Sequence, residues 1–193
     1  VFIRAILPMI GGSTMYLMKA ESPGPSVDKF VPRVKDTAKI LYTLYVGITL
    51  LQIVCLLLAK MPLFDTLTLT FGTVGTGGFG VKNSSIGDYT SLQQNIITFF
   101  MIASGVNYSA YFFIISKNFK DAFKMEEVRW YFGIILAAVA ILTFNTMHLY
   151  SGFGETLKHA FFQVASIITT TGYSTTDFDL WPELSKTVLV LLM

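Results

Sequence analysis

Long uncharged stretches alternate with short charged ones along this chain. Residues 40–59 are 20 uncharged positions closed by Lys39 and Lys60. Residues 89–116 give 28, with an apolar body over 96–115, and residues 130–154 give 25. A helix needs about 20 mostly apolar residues to cross a bilayer, so the pattern predicts three transmembrane helices. The opening VFIRAILPMIGG has the character of the tail of another hydrophobic helix, and the closing TVLVLLM that of the first turns of one more. The chain is therefore expected to be a piece of a longer protein.

Two uncharged stretches behave differently. Residues 66–81 and 159–176 are too short for a comfortable span and are rich in threonine and glycine. Their first halves predict helices, FDTLTLTF behind Pro62 and ETLKHAFFQVASII behind Gly154. Their second halves, TVGTGGFG and TTTGYS, are poor helix formers. Non-helical backbone at membrane depth survives only where protein buries it or it lines a watery path. Each stretch is expected to be a re-entrant pore loop; the other reading is an external amphipathic hairpin.

Composition agrees with a membrane setting. Hydrophobic residues make up 53% of the 193 and charged ones 13%, against roughly 45–50% and 25% in soluble domains. That excludes a disordered chain, a nucleic-acid-binding module and most cytosolic enzymes. A single cysteine, Cys55, leaves no internal disulfide or multi-cysteine metal site, and two histidines leave little for zinc or general-base chemistry. No phosphate-binding glycine loop or nucleophile triad is present, so no enzyme and no organic cofactor is expected. The fold class expected is an all-α polytopic membrane protein.

Charge placement predicts sidedness. Residues 18–39 and 117–129 hold nine of the 14 basic residues, which the positive-inside rule makes cytoplasmic. The other face carries Lys60, Lys82, Lys158 and Lys186 against Asp65, Asp88, Glu155, Asp177, Asp179 and Glu183. A mildly negative entrance suits cations, although surface acids also have a plain solvation role.

An internal repeat organises these elements. At an offset of 94, FGTVGTGGFG at 71–80 meets ASIITTTGYS at 165–174. Thr76 then pairs with Thr170, Gly78 with Gly172, Phe79 with Tyr173 and Gly80 with Ser174, and the spans 40–59 and 134–153 coincide. The unit is helix, pore loop, returning helix. Residues 1–18 would end a preceding unit, 19–37 form a cytoplasmic loop, and 38–116 form one complete unit. Residues 117–128 would form a second cytoplasmic loop, and 129–193 a second unit truncated in its returning helix.

Such loops resemble the TVGYG filter of potassium channels, which aims backbone carbonyls at a dehydrated ion. Backbone of that shape needs left-handed residues, which cost about 1–2 kcal/mol unless they are glycine. Two registers compete in the first loop, 73–77 and 76–80. The second loop fits only the later one, which selects Gly78 and Gly172. Both are expected to respond alike to an added side chain, and Gly75 more mildly, because its counterpart is Thr169.

With TVGTGGFG at 73–80, ITTTGYSTTDFDLWP at 168–182 and AESPGPSVDKFVPRVKDTAKILY at 20–42, the chain resembles the membrane subunits of bacterial Trk/Ktr-type potassium uptake systems. The likeness is closer to the Trk branch, and plant HKT transporters are relatives. The resemblance covers essentially the whole chain. It implies four units around one pore, each with one filter glycine, and a bacterial inner-membrane protein that takes up potassium. It implies carbonyl ligands from Val74, Gly75, Thr76, Gly77 and Gly78, and from Ile168, Thr169, Thr170, Thr171 and Gly172. It also implies a homodimer and a cytoplasmic nucleotide-binding regulatory subunit, with no nucleic-acid partner. The family's gate, a glycine-rich break in the third unit's returning helix, lies past Met193.

Other polar positions have duller explanations beside sharper ones. Hydroxyls of Thr73, Thr76, Thr169, Thr170 and Thr171 either contact the ion or brace the loop. Asn107 and Ser109 pack between helices or line the pore, and Gly105 permits a close helix crossing. Gln52 and Gln163 are expected to bond between helices, and Asp65 or Asp88 to be solvated or to attract ions. Trp130, Tyr131, Tyr150 and Trp181 at span ends fit an aromatic belt. Met9, Met15 and Met18 fit core filling better than a copper path, and His148 and His159 an interface. Two other functions compete with potassium uptake. One is a sodium-coupled carrier with re-entrant loops, disfavoured because such carriers usually show inverted repeats. The other is a non-conducting scaffold, which has no use for two glycine-threonine loops.

Overall fold

The computed structural model describes residues 34–115 and 124–193. Expectations for 1–18, 19–33 and 117–123, including the amino-terminal methionines, lie outside these residues. Among the described residues there are seven α-helices, two 3-10 turns and no strand. In chain order the helices are α1 (Val34–Leu58), α2 (Leu63–Val74), α3 (Ser91–Gly105), α4 (Tyr108–Ile115), α5 (Glu126–Thr146), α6 (Phe153–Ile168) and α7 (Glu183–Leu192).

Two helical stretches, Lys39–Leu58 and Glu126–Leu149, are long and apolar enough to cross a membrane. Their outward faces carry Leu50, Leu58, Trp130, Leu136 and Phe144, all well exposed, as a lipid-facing surface requires. α1 stops because Lys60 takes a left-handed φ of 59° and the Met61 amide turns back to the Leu56 carbonyl at 3.1 Å. That is a Schellman stop. Pro62 then caps α2, its carbonyl taking the Thr66 amide at 2.9 Å. α2 has 12 residues, about 18 Å at 1.5 Å per residue, too short for a hydrocarbon core of roughly 30 Å. It therefore enters and stops, and α6 does the same in the second repeat.

α3 returns from the loop end behind a capping box. The Gln93 amide donates to the Thr90 hydroxyl, and the Thr90 amide donates to Gln93 Oε1 at 3.0 Å. Gln93 Nε2 also donates to the Ala59 carbonyl at 3.0 Å, pinning α3 to the end of α1. Gln94 Nε2 reaches the carbonyls of Ile86, Gly87 and Tyr89 and closes the loop above. The core lies between α1, α2, α3, α5 and α6, with Leu56, Leu69, Ile97, Met101, Leu142, Phe162 and Val164 buried.

The expected span over 89–116 is not one helix. It breaks at Gly105, and Asn107 restarts it by accepting the Ser109 amide on Oδ1 at 2.9 Å. The break survives at this depth because the carbonyls of Ile102 and Ala103 that it frees find side-chain donors. Tyr131 donates to the Ile102 carbonyl at 3.1 Å and Tyr111 to the Ala103 carbonyl at 2.5 Å. Asn107 Nδ2 donates to Glu127 Oε2 at 2.7 Å. Gly105 has no room for a side chain, since a Cβ there would meet Tyr131 Oη at 2.5 Å and Thr169 Cγ2 at 2.8 Å.

The aromatic belt is corrected as well. Trp130 is exposed, but Tyr131 works at the break, and Trp181 Nε1 donates to Tyr150 Oη at 2.9 Å inside the second unit. Among the described residues Gln52 makes no helix–helix bond: both its amide atoms are buried without a partner there, as is Gln163 Oε1.

Candidate functional site: two matched pore loops

The two loops repeat each other bond for bond at the same offset. Thr76 and Thr170 are left-handed, with φ of 50° and 56°, and Gly78 and Gly172 follow at 67° and 85°. In the first loop the amides of Gly75, Thr76, Gly77 and Gly78 donate to the carbonyls of Phe71, Thr73, Gly72 and Gly72. In the second, the amides of Thr169, Thr170, Thr171 and Gly172 donate to Ala165, Ile167, Ser166 and Ser166. Gly75 has an ordinary φ of −83°, matching −90° at Thr169. The left-handed glycines are thus those of the later register.

This bonding aims the carbonyls. In a trans peptide C=O points opposite to the N–H of the same plane. The amides of 75–78 and 169–172 all face back onto their helix ends. The carbonyls of Val74, Gly75, Thr76 and Gly77, and of Ile168, Thr169, Thr170 and Thr171, are therefore turned away from the helices. They stand at two helix C-termini, each carrying up to about half a negative charge. The arrangement presents oxygen ligands and negative potential without any ionised side chain. Gly78 and Gly172 supply a left-handed turn at the end of each hydrogen-bonded stretch.

Most threonine hydroxyls are braces. Thr73 donates to the Leu69 carbonyl at 2.7 Å, Thr169 to the Ala165 carbonyl at 2.7 Å, and Thr170 to the Thr169 carbonyl at 2.7 Å. Thr171 pairs with the Thr169 hydroxyl at 2.8 Å. Of the five, Thr76 alone has no side-chain hydrogen bond among the described residues.

The loops also touch. A Cβ on Gly78 would collide with the Thr171 carbonyl, whereas Gly172 faces open space. The Tyr173 ring, fully buried, crosses to the first unit, where its hydroxyl lies 3.2 Å from the Phe79 carbonyl and 3.4 Å from that of Leu69. Gly72 makes that crossing possible, because a Cβ there would occupy the hydroxyl's place. Sequence reasoning placed neither Gly72 nor Tyr173 in a role. The aromatic pair Phe79/Tyr173 was the available signal.

Around the entrance, the acids serve structure first. Asp65 accepts from Tyr89 Oη at 2.9 Å and Asp88 from Ser84. Burial, and then that Asp65 bond, push the Tyr89 pKa up, and Lys82 sits 4.4 Å above its ring. His159 bonds the Thr175 hydroxyl at 2.9 Å and stacks on Tyr150. Burial and then Lys158 lower its pKa, against a smaller opposing effect of Glu155. The Ile86 amide donates to the Ser174 carbonyl at 3.0 Å, tying the stretch after the first pore loop to the residues that follow Tyr173 in the second.

Comparison with known proteins gives one answer. The family model described as TrkH, cation transport protein, matches residues 1–193. The Trk system potassium uptake protein TrkH of Salmonella typhimurium is 38% identical over 183 residues, covering 92% of this chain and 38% of that protein. TrkG of Escherichia coli is 33% identical over 194 residues, covering 98% and 39%. The crystal structure of the potassium transporter TrkH from Vibrio parahaemolyticus superposes with a TM-score of 0.79 at 27% identity, covering 93% of this chain and 40% of that one. The chain spans about two fifths of the length of these relatives.

Proposed function

The chain belongs to the TrkH family of cation transport proteins, and from that premise we propose that it forms part of a pore for potassium uptake. Potassium sheds water and sits among the carbonyls of Val74, Gly75, Thr76, Gly77 and Gly78 and of Ile168, Thr169, Thr170, Thr171 and Gly172. Gly78 and Gly172 hold the turns. The observation that carries this reading is the bond-for-bond match of two loops that each turn a row of carbonyls away from a short helix. Such a row replaces hydration oxygens at little reorganisation cost.

Further units of the longer protein complete the ring. The protein resides in the bacterial inner membrane, works as a homodimer, and answers to a cytoplasmic nucleotide-binding subunit. Potassium is cargo, with no organic cofactor.

The test is growth and tracer uptake in a bacterial strain stripped of its own potassium uptake. The full-length protein should restore growth at low potassium and accumulate potassium or rubidium. Membrane-inserted protein that restores neither defeats the proposal.

A further inference from the structure

Tyr173 makes a contact between the two units that filter chemistry alone does not require. Its ring belongs to the second loop, is fully buried, and ends against the first unit's short helix. Two carbonyls lie within reach of its one proton. The Leu69 carbonyl, at 3.4 Å, already receives the Thr73 hydroxyl at 2.7 Å, so the Phe79 carbonyl at 3.2 Å is the better acceptor.

Phe79 follows Gly78 directly. Holding its carbonyl fixes the Phe79–Gly80 peptide, one residue past the left-handed turn, and so limits how that turn can relax. The Thr171 carbonyl rests on the other side of that turn, where a Gly78 side chain would be. The second loop thus grips Gly78 from before and behind. Gly72 is the socket, and the offset of 94 shows how particular this joint is. Phe79 occupies Tyr173's place in the first unit but has no hydroxyl and is 77% exposed, and Ser166 stands where Gly72 does.

We infer that Tyr173 is a positioning residue for ion selectivity: seated in the Gly72 socket, its hydroxyl fixes the Phe79 carbonyl and so the Gly78 turn of the neighbouring filter. This rests on the proposed potassium-conducting role. A residue that shapes the filter without lining it alters which ion passes more than how much passes.

Four full-length proteins test it in the uptake-deficient strain: wild type, Tyr173→Phe, Gly72→Ala and the double variant. Potassium and sodium uptake are measured at equal membrane abundance. Tyr173→Phe should keep total cation uptake within about twofold of wild type, while the potassium-to-sodium ratio falls about three- to tenfold, the worth of one hydrogen bond. Gly72→Ala should do likewise by evicting the hydroxyl. With the hydroxyl gone, the new methyl still meets the Phe79 carbonyl oxygen at 3.1 Å and ring Cζ at 3.3 Å, so the double variant should lose less than the two single losses multiplied. A wild-type ratio in Tyr173→Phe overturns the inference, as does a double variant whose losses multiply. So does failure of Tyr173→Phe to reach the membrane, which makes the hydroxyl a folding requirement. Absence of potassium uptake by the wild type is a separate result; it removes the transport reading and this inference with it.

Discussion

At Gly78 two penalties coincide, a left-handed φ of 67° and the Thr171 carbonyl standing where a Cβ would go. Gly172 carries only the first. Gly75 has an ordinary φ of −83°, and although a Cβ there would meet the Phe71 carbonyl at 2.8 Å, Thr169 already holds a side chain in the matching backbone conformation. Alanine substitutions should therefore rank in that order. Gly172→Ala should cost about 1–2 kcal/mol of filter conformation, roughly five- to thirtyfold in potassium preference over sodium. Gly78→Ala should cost more, and Gly75→Ala little. Relative uptake of the two ions at matched expression measures the ranking, and Gly75→Ala as the worst of the three would overturn it. The equal response of both filter glycines expected from the repeat is thus corrected. Position in the repeat was legible because identical backbone needs leave glycine at matching places. The difference between the two was not, because it comes from a carbonyl 93 positions away on the neighbouring loop. Tyr173 was hidden in the same way: its aromatic character was visible, but the socket that gives its hydroxyl a task was not.

At the scale of elements, hydropathy identified the two spans and both short helices but missed the break between α3 and α4. An apolar run reports on lipid compatibility and not on backbone continuity. Gly105 and Asn107 were in view as polar or small positions, yet the groups that stabilise a break there, Tyr131 and Glu127, lie on α5. A cavity of about 150 Å³ remains beside the break, lined by Gly105, Val106, Asn107, Glu127, Val128 and Tyr131. Tyr131→Phe would leave the Ile102 carbonyl without its partner at depth, a loss of about 1–3 kcal/mol. Asn107→Ala would remove both the cap of α4 and the bond to Glu127, about 0.5–2 kcal/mol for the cap alone. Both variants should lower the thermal unfolding midpoint of the purified protein. Gly105→Ala should lower it too, and adding Tyr131→Phe should recover part of that loss by clearing the 2.5 Å contact while leaving Thr169 Cγ2 at 2.8 Å. Midpoints unchanged in all three single variants would mean that the break costs nothing to rearrange.

For the whole molecule, the question is which way the pore faces. The ends of α1 and α5 and the starts of α2, α3, α6 and α7 share one end, as the short connections α1–α2 and α5–α6, the Gln93–Ala59 bond, the Lys158–Ser91 bond of 3.0 Å and the Asn145–Ser185 bond of 2.7 Å require. That end holds the acids of the entrance, while the starts of α1 and α5 lie at the other, next to the lysine-rich stretches. Both short helices start at the acidic end and aim their C-terminal carbonyls inward, so an ion entering there meets rising negative potential. The positive-inside rule then predicts that the acidic end lies outside the cell, the direction that the proposed uptake needs. Lys120→Cys and Ser84→Cys, each in a Cys55→Ser background, check this with a membrane-impermeant thiol reagent. Ser84 is exposed in the outer loop and its cysteine should react in intact cells. The cysteine at 120 should react only after the membrane is opened. The reverse pattern would place the filter entrance on the cytoplasmic side, and the same loops would then serve efflux.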